Sequence, residues 1–244
     1  MIIRPLIYLL FFLSTCTSLK DRSLIHAFKF TDKNRQELKR VLGQYQEDSP
    51  KFAASHFIIR NMLGKQSVDT NSIKASQPYF DAWAAYFEKY GRYKNGAHYV
   101  ICDSINRLHP NKRVHTRYIP DLQHISADFL IRHIDYCFHI WQQYPWCKDI
   151  DFDTFCKYIL PYTTSNCYWE YASDFFLEKY AELRDTVQQK SYKEIGAILS
   201  KDVDRTFAQN WVLFTRKYPG LLPTTFENLA KAQIGTCLEA NIYK

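Results

Sequence analysis

Seven cysteines and eight histidines are the side chains of this sequence best suited to nucleophilic, redox or metal chemistry. Their spacing contains no CxxC pair, and the intervals between the cysteines fit no zinc ribbon. His133 and Cys137 lie four residues apart, a separation that puts both on one face of a helix. Two ligands alone do not make a metal site, so we expect no bound metal and no cofactor. Buried, reduced thiols are the simpler interpretation of Cys102, Cys137 and Cys156.

Aromatic side chains offer a second kind of chemistry, the stacking of a sugar ring on an indole. Trp141 and Trp146 both invite this interpretation. Trp141 continues a helical apolar stripe, which favours a place in the core. Trp146 is therefore the candidate that we retain for a binding role, with core packing as the alternative.

The composition predicts a protein with a sizeable core and excludes two classes of function. Hydrophobic residues make up 46% of the chain, and no apolar run approaches the roughly 18 residues that span a bilayer, so it is not a multi-span membrane protein. The formal charge of +7 is scattered, without a basic block. Such a surface is usually solvated, and we expect no nucleic-acid partner.

The first fifteen residues have the pattern of an export signal. Arg4 supplies the positive charge, and residues 6–13 supply the apolar centre. Leu13-Ser14-Thr15-Cys16 resembles a bacterial lipobox, in which the peptidase cuts before a cysteine that carries a diacylglyceryl thioether, although Thr15 replaces the usual Gly or Ala. We predict a signal peptide over 1–15, a lipidated Cys16 that holds the protein on a membrane, and a place in the cell envelope, at the outer membrane or the periplasmic face. An ordinary secretory leader is the alternative.

The apolar periodicity along the chain is helical. Stripes with the spacing i, i+3, i+4 and i+7 occupy residues 38–45, 54–62, 80–87 and 127–141, and a shorter one occupies 152–159. No β-hairpin signal and no repeat is present. The sequence therefore predicts a mainly α fold, an irregular array of several helices in which aromatic ridges pack helix on helix.

Polar residues predict where some of these helices begin. Ser49, followed by Pro50, is expected to cap one helix, and Asp151 or Asp153 the short one. Thr224 and Glu227 fit a capping box. The polar stretch Lys65–Gln77 is expected to be a loop.

Parts of the chain resemble the amino-terminal region of Bacteroidetes lipoproteins that carry a transglutaminase-like domain. The matching segments are residues 34–45 with 48–62, then 129–159, then 222–240, in the family's order. In that family a helical region precedes a papain-like core. The resemblance implies a helical domain over 16–222 and the truncated start of a transglutaminase-like core over 223–244.

The resemblance also implies a nucleophile. Gly235-Thr236-Cys237 matches the family's Gly-x-Cys, which places Cys237 at the start of the core's central helix. The positive end of the helix dipole stabilises a thiolate there. The family's catalytic histidine and acid follow on later strands, whereas only seven residues follow Cys237. We therefore expect this chain not to be an active enzyme by itself; an incidental cysteine is the alternative.

The pair Pro161-Tyr162 is similar to a pair that an arginine often follows in this family, whereas Thr163 stands here. Tyr162 joins Trp146 as a candidate binding residue, with packing against the helices as the alternative. The function expected is that of the helical amino-terminal portion of a lipid-anchored, transglutaminase-like envelope protein. The alternative is an envelope lipoprotein without catalysis that binds a glycan or a protein partner.

Overall fold

The computed structural model describes residues 22–90, 104–105, 107–108, 117–144, 147–163, 179–182, 190–207, 225, 228 and 231. Helices hold 73% of these residues and the sheet has two short strands, so the fold class is mainly α. No helix in these residues is both long and apolar enough to cross a membrane. The chain divides into two compact units, Met1–Gln66 with Ile119–Tyr162 and Ser67–Tyr118 with Thr163–Lys244.

Residues 22–28 form a helical segment ahead of the named elements. These are, in chain order, a 3-10 turn at Asp32–Asn34, α1 (Arg35–Gln44), α2 (Ser49–Arg60), β1 (Gln66–Val68), α3 (Thr70–Tyr90), β2 (Tyr118–Pro120), a second 3-10 turn at Asp121–Gln123, α4 (Ala127–Gln143), α5 (Phe152–Tyr158) and α6 (Tyr192–Phe207).

In the first unit, helix α4 packs against both α1 and α2. The apolar stripes predicted from the sequence supply this core, which includes Leu38, Val41, Ala54, Ile58, Met62, Leu130, Ile134 and Phe138. Polar contacts fix how α1 lies on α4. The Glu37 carboxylate accepts a hydrogen bond from the Ala127 backbone N–H at 2.7 Å, at the first turn of α4. The Tyr45 hydroxyl lies 3.0 Å from the Ile131 carbonyl oxygen, one turn further along.

Aromatic rings join α4 to α5, as the predicted ridges suggest. The Phe155 ring stacks on Trp141, with 4.5 Å between ring centroids, and meets the Phe138 ring edge-on at 4.9 Å. The Trp141 indole N–H donates to the Ile150 carbonyl oxygen at 2.9 Å. Both the ring and the polar end of Trp141 are therefore used in packing.

Carboxylates cap the two helices, α2 and α5, for which the sequence offered cap candidates. Asp151, not Asp153, caps α5, because its side chain accepts from the Thr154 N–H at 2.7 Å. The prediction that Ser49 caps α2 is wrong by one residue. Asp48 is the cap and accepts from the Lys51 N–H at 3.2 Å, which leaves Ser49 in the first turn of the helix.

The prediction of a loop over Lys65–Gln77 is wrong for most of that range. In the second unit, α3 begins at Thr70, where the Asp69 carboxylate accepts from the Ser72 N–H at 2.7 Å. Ser72 and Ser76 are buried on the same side as Phe80. The Ser76 hydroxyl donates a hydrogen bond to a backbone carbonyl one turn earlier. A polar residue therefore occupies a core position with its hydroxyl group satisfied.

Polar side chains also order the remaining described parts of the second unit. Ser191 and Glu194 form a reciprocal capping box at the start of α6. The Asn228 N–H donates to the Thr225 hydroxyl at 3.2 Å, whereas Thr224 and Glu227 of the predicted capping box lie outside the described residues. The Asn228 side-chain amide exchanges two hydrogen bonds with the Gln77 amide, at 2.6 and 2.9 Å.

The position of the α2 cap gives a direct test of this part of the fold. We expect Asp48→Ala to lower the free energy of unfolding by about 1 kcal/mol, because an N–H of the first turn loses its acceptor. Ser49→Ala is the matched control and should change it by less than about 0.5 kcal/mol. Urea unfolding of both variants makes the comparison. A larger loss in Ser49→Ala would return the cap to Ser49.

Candidate functional site

Of the four site residues predicted from the sequence, Tyr162 lies within the described residues. Cys16, Trp146 and Cys237 lie outside them. Tyr162 follows α5 in the first unit, and its surroundings define the candidate site. We call this group the Tyr162 cluster; its members are Lys65, Asp121, Phe129, His133, Cys137 and Tyr162.

The centre of the cluster is a hydrogen bond between Tyr162 and a buried carboxylate. The Tyr162 hydroxyl donates to Asp121 Oδ2 at 2.6 Å, and Asp121 is fully buried. Burial raises the pKa of Tyr162, and the negative charge of Asp121 and the hydrogen bond raise it further. Tyr162 is therefore a neutral donor at physiological pH. A charged carboxylate in a core needs such donors, because its desolvation is costly.

Backbone pairing puts Asp121 in this position. Strands β1 and β2 form the two-stranded sheet, an arrangement that the sequence did not predict. Just beyond it, the Asp121 N–H donates to the Lys65 carbonyl oxygen at 3.1 Å. Asp121 then opens the 3-10 turn that leads towards α4. Its side chain consequently faces the interior from a short, tightly held segment.

Lys65 adds a cation to the edge of the cluster. Its ammonium nitrogen lies over the Tyr162 ring, 5.2 Å from the centroid. Partial burial lowers the pKa of Lys65, and the negative charge of Asp121 opposes this change. The Tyr162 side chain thus contacts a cation at its ring, whose face attracts positive charge, and a carboxylate at its hydroxyl group.

His133 occupies the α4 side of the cluster as a neutral imidazole. Its ring stacks on Phe129, with 6.0 Å between centroids and 7° between planes, and meets Tyr162 edge-on. The Nε2 atom lies 2.8 Å from the Leu160 carbonyl oxygen. A carbonyl only accepts, so Nε2 carries the hydrogen. Part of the residue surface stays accessible, but burial of the imidazole lowers the pKa of His133.

Cys137 lies one helical turn beyond His133, as their spacing predicts. Its Sγ atom is 3.5 Å from His133 Nε2 and donates to the Ile159 carbonyl oxygen at 3.5 Å. Burial raises the pKa of Cys137 to about 12. The neighbouring Nε2 already carries its own hydrogen and cannot accept the thiol proton. This pair therefore lacks the thiolate and the base that nucleophilic catalysis needs.

His133 and Cys137 instead complete the end of α5. The Ile159 and Leu160 carbonyl groups follow the last helical residue, Tyr158, where backbone acceptors lack partners within the helix. The imidazole and the thiol, one turn apart on α4, each donate to one of these carbonyls. The pair consequently holds the carboxyl end of α5 against α4.

The described cysteines confirm two of the expected buried thiols. Cys137 and Cys156 are buried and reduced, as is Cys147, whereas Cys102 lies outside the described residues. No group of three or more His, Cys, Asp or Glu side chains placed to hold a metal ion occurs among the described residues.

Sequence reasoning did not find Asp121 or Lys65. Asp121 follows Pro120 in a segment without apolar periodicity, and an acidic residue there predicts a surface turn. Its partner Tyr162 lies 41 residues later. The signal that was available is Tyr162 itself, because a buried phenol usually finds an acceptor for its hydroxyl.

Comparison of the chain with protein-family models, with curated proteins and with solved structures finds no match. The function of the chain is therefore proposed from its own sequence and from the geometry of the described residues.

The Tyr162–Asp121 hydrogen bond can be tested by removing one oxygen atom. We expect Tyr162→Phe to lower the free energy of unfolding by about 1.5–3 kcal/mol, because a buried carboxylate loses a donor. Tyr158→Phe is the matched control, since Tyr158 is 79% exposed. Urea unfolding at neutral pH measures both. Equal, small decreases in the free energy of unfolding of the two variants would contradict a structural role for the Tyr162–Asp121 hydrogen bond.

Proposed function

We propose that this chain is the helical amino-terminal portion of a lipid-anchored, transglutaminase-like envelope protein, and that its described helices support catalysis without performing it. The substrate chemistry implied by the resemblance is acyl transfer or amide hydrolysis at a thiol. Cys237 is the nucleophile position in this proposal, and Cys16 carries the lipid.

The packing of the family-like segments supports this proposal. Residues 34–62 contain α1 and α2, and residues 129–159 contain most of α4 and all of α5. These segments are far apart in the sequence, yet α4 lies directly against α1 and α2. A resemblance distributed over helices that pack together is what a common helical domain would produce.

The Cys137–His133 pair is the observation that carries the non-catalytic part of the proposal. It brings a thiol and an imidazole within hydrogen-bonding reach, the arrangement from which a nucleophile is normally built. Burial raises the pKa of Cys137 to about 12, and both side chains donate to backbone carbonyls at the end of α5. Both side chains are used in packing, and in this proposal the thiol nucleophile is Cys237 instead.

An acyl-transfer assay on the purified chain tests the proposal. We expect the transfer of a fluorescent amine to a glutamine peptide to proceed at the background rate, and to stay there in Cys137→Ser and Cys237→Ala. Serine keeps a donor for the Ile159 carbonyl, so Cys137→Ser should remain folded.

Each departure from background would have a distinct meaning. A rate that Cys137→Ser removes would contradict the non-catalytic role of the helices. A rate that Cys237→Ala removes would retain the likeness to transglutaminases and contradict the inactivity of this chain. Retention on immobilised peptidoglycan that Trp146→Ala abolishes would favour the alternative, a glycan-binding lipoprotein.

A further inference from the structure

Exposed basic and apolar side chains lie together near residue 22, where the described part of the first unit begins. We call this surface the basic face; its residues are Arg22, Ile25, Lys29, Phe30 and Lys33, all exposed. Ile25 is 60% exposed and Phe30 is 48% exposed, so two large apolar side chains lie in solvent among three cations. Lysine and arginine beside large apolar side chains are the composition of segments that lie in a membrane interface.

The interior side of the same segment holds the basic face in this orientation. Leu24, Ala27 and Thr31 are buried, at the spacing of one helix face and its continuation. The Thr31 hydroxyl donates to the Phe28 carbonyl oxygen at 3.1 Å, and the Arg35 guanidinium lies 5.7 Å from the centroid of the Phe28 ring. The segment is thus anchored from within, and the opposite side is presented outwards.

Basic side chains outnumber acidic ones around the basic face, although the exposed Asp32 lies in the same segment. Residues 22–44 contain six basic and two acidic side chains, a net charge of +4 out of +7 for the whole chain. Arg40 is paired with Asp128 and Glu37. Within the described part of the chain, no carboxylate pairs with Arg22, Lys29 or Lys33. All three cations are exposed and can contact an anionic partner.

The predicted lipid anchor at Cys16 indicates which anionic partner the basic face would meet. Arg22 follows Cys16 by six residues, and six residues reach at most about 20 Å when fully extended. A lipid on Cys16, which is part of the proposed function and on which this step rests, would keep the basic face within that distance of the bilayer. The negative charge of a phospholipid surface and the depth of its headgroup layer match exposed lysines and apolar side chains.

We propose that the basic face docks on the anionic phospholipid surface into which the acyl chains of Cys16 insert. Lys29, Lys33 and Arg22 contact the headgroup phosphates, and Ile25 and Phe30 enter the boundary between headgroups and acyl chains. The contact adds a second attachment to the lipid and fixes the orientation of the first unit against the membrane. Two weak attachments on one short tether reinforce each other.

Vesicle sedimentation of the chain from residue 16 onwards, unlipidated and carrying Cys16→Ser, tests this surface without the anchor. We expect binding to vesicles of equal parts phosphatidylglycerol and phosphatidylcholine, and much weaker binding to phosphatidylcholine alone. Lys29→Gln with Lys33→Gln should weaken binding about 25-fold, since each basic side chain near an anionic surface contributes about fivefold. Ile25→Ser with Phe30→Ser should weaken it about tenfold.

Lys148→Gln with Tyr158→Ser is the matched control, because it removes an exposed cation and an exposed aromatic ring elsewhere in the first unit. Binding of this variant should equal that of the parent chain. Circular dichroism should show the same helix content in all variants. Failure to bind anionic vesicles, or equal weakening by the control, would overturn the proposal.

Labelling of the chain with its leader by an alkyne fatty acid in a bacterial host separates this proposal from the proposed function. We expect label that Cys16→Ser removes and Cys102→Ser retains. Label without vesicle binding would contradict membrane docking by the basic face and would support lipidation of Cys16. Vesicle binding without label would overturn the lipid anchor and support a face that binds the bilayer by itself.

Discussion

A carboxylate enclosed in the first unit is the constraint on which the rest of that unit depends. Asp121 is fully buried, so its carboxylate oxygens need hydrogen-bond donors that the fold brings to them. The Tyr162 hydroxyl does this from 41 residues further along the chain. That bond joins the segment before α4 to the segment after α5. Separating these two segments would remove a hydrogen-bond donor from a buried carboxylate.

The same hydrogen bond explains the orientation of the groups that would otherwise be reactive. Once Tyr162 is held at Asp121, the carboxyl end of α5 lies beside α4, and its last carbonyls need donors. His133 and Cys137 provide them, and the burial that this requires lowers the pKa of His133 and raises that of Cys137. The burial that packing requires is therefore unfavourable to a thiolate–imidazolium pair. The histidine and the thiol are adjacent because they lie one turn apart on α4, and both contact carbonyl groups at the end of α5.

The parts of this fold that were predictable are those in which one local signal decides the outcome. The stripes at 38–45 and 127–141 correspond to α1 and α4, because apolar residues at helical spacing bury together. The start of α3 was not predictable in this way, because polar residues, Ser72 and Ser76, occupy core positions where an apolar stripe would be expected. Asp and Ser are both favoured at the N-cap position, so the sequence does not distinguish whether Asp48 or Ser49 is the cap.

The candidate site was less predictable than the helices because it depends on pairing at long range. The spacing of His133 and Cys137 indicates a shared helix face, and the structure has one. Nothing in that spacing shows that both side chains point at the end of another helix. Asp121 acquires its importance from the pairing of its own backbone with Lys65 and of its side chain with Tyr162. Periodicity and capping rules use neighbouring residues, so they do not predict contacts between segments that are so far apart in the sequence.

The most direct test of this account is the alkylation rate of Cys137 by iodoacetamide at neutral pH, followed by mass spectrometry of its peptide. Burial raises the pKa of Cys137 from about 9 to about 12, which lowers the thiolate fraction about a thousandfold at neutral pH. We predict that Cys137 in the folded chain reacts at least about a hundredfold more slowly than in the urea-unfolded chain. Equal rates in the two states would mean that the thiol is accessible and activated, and would contradict a helical region committed to packing.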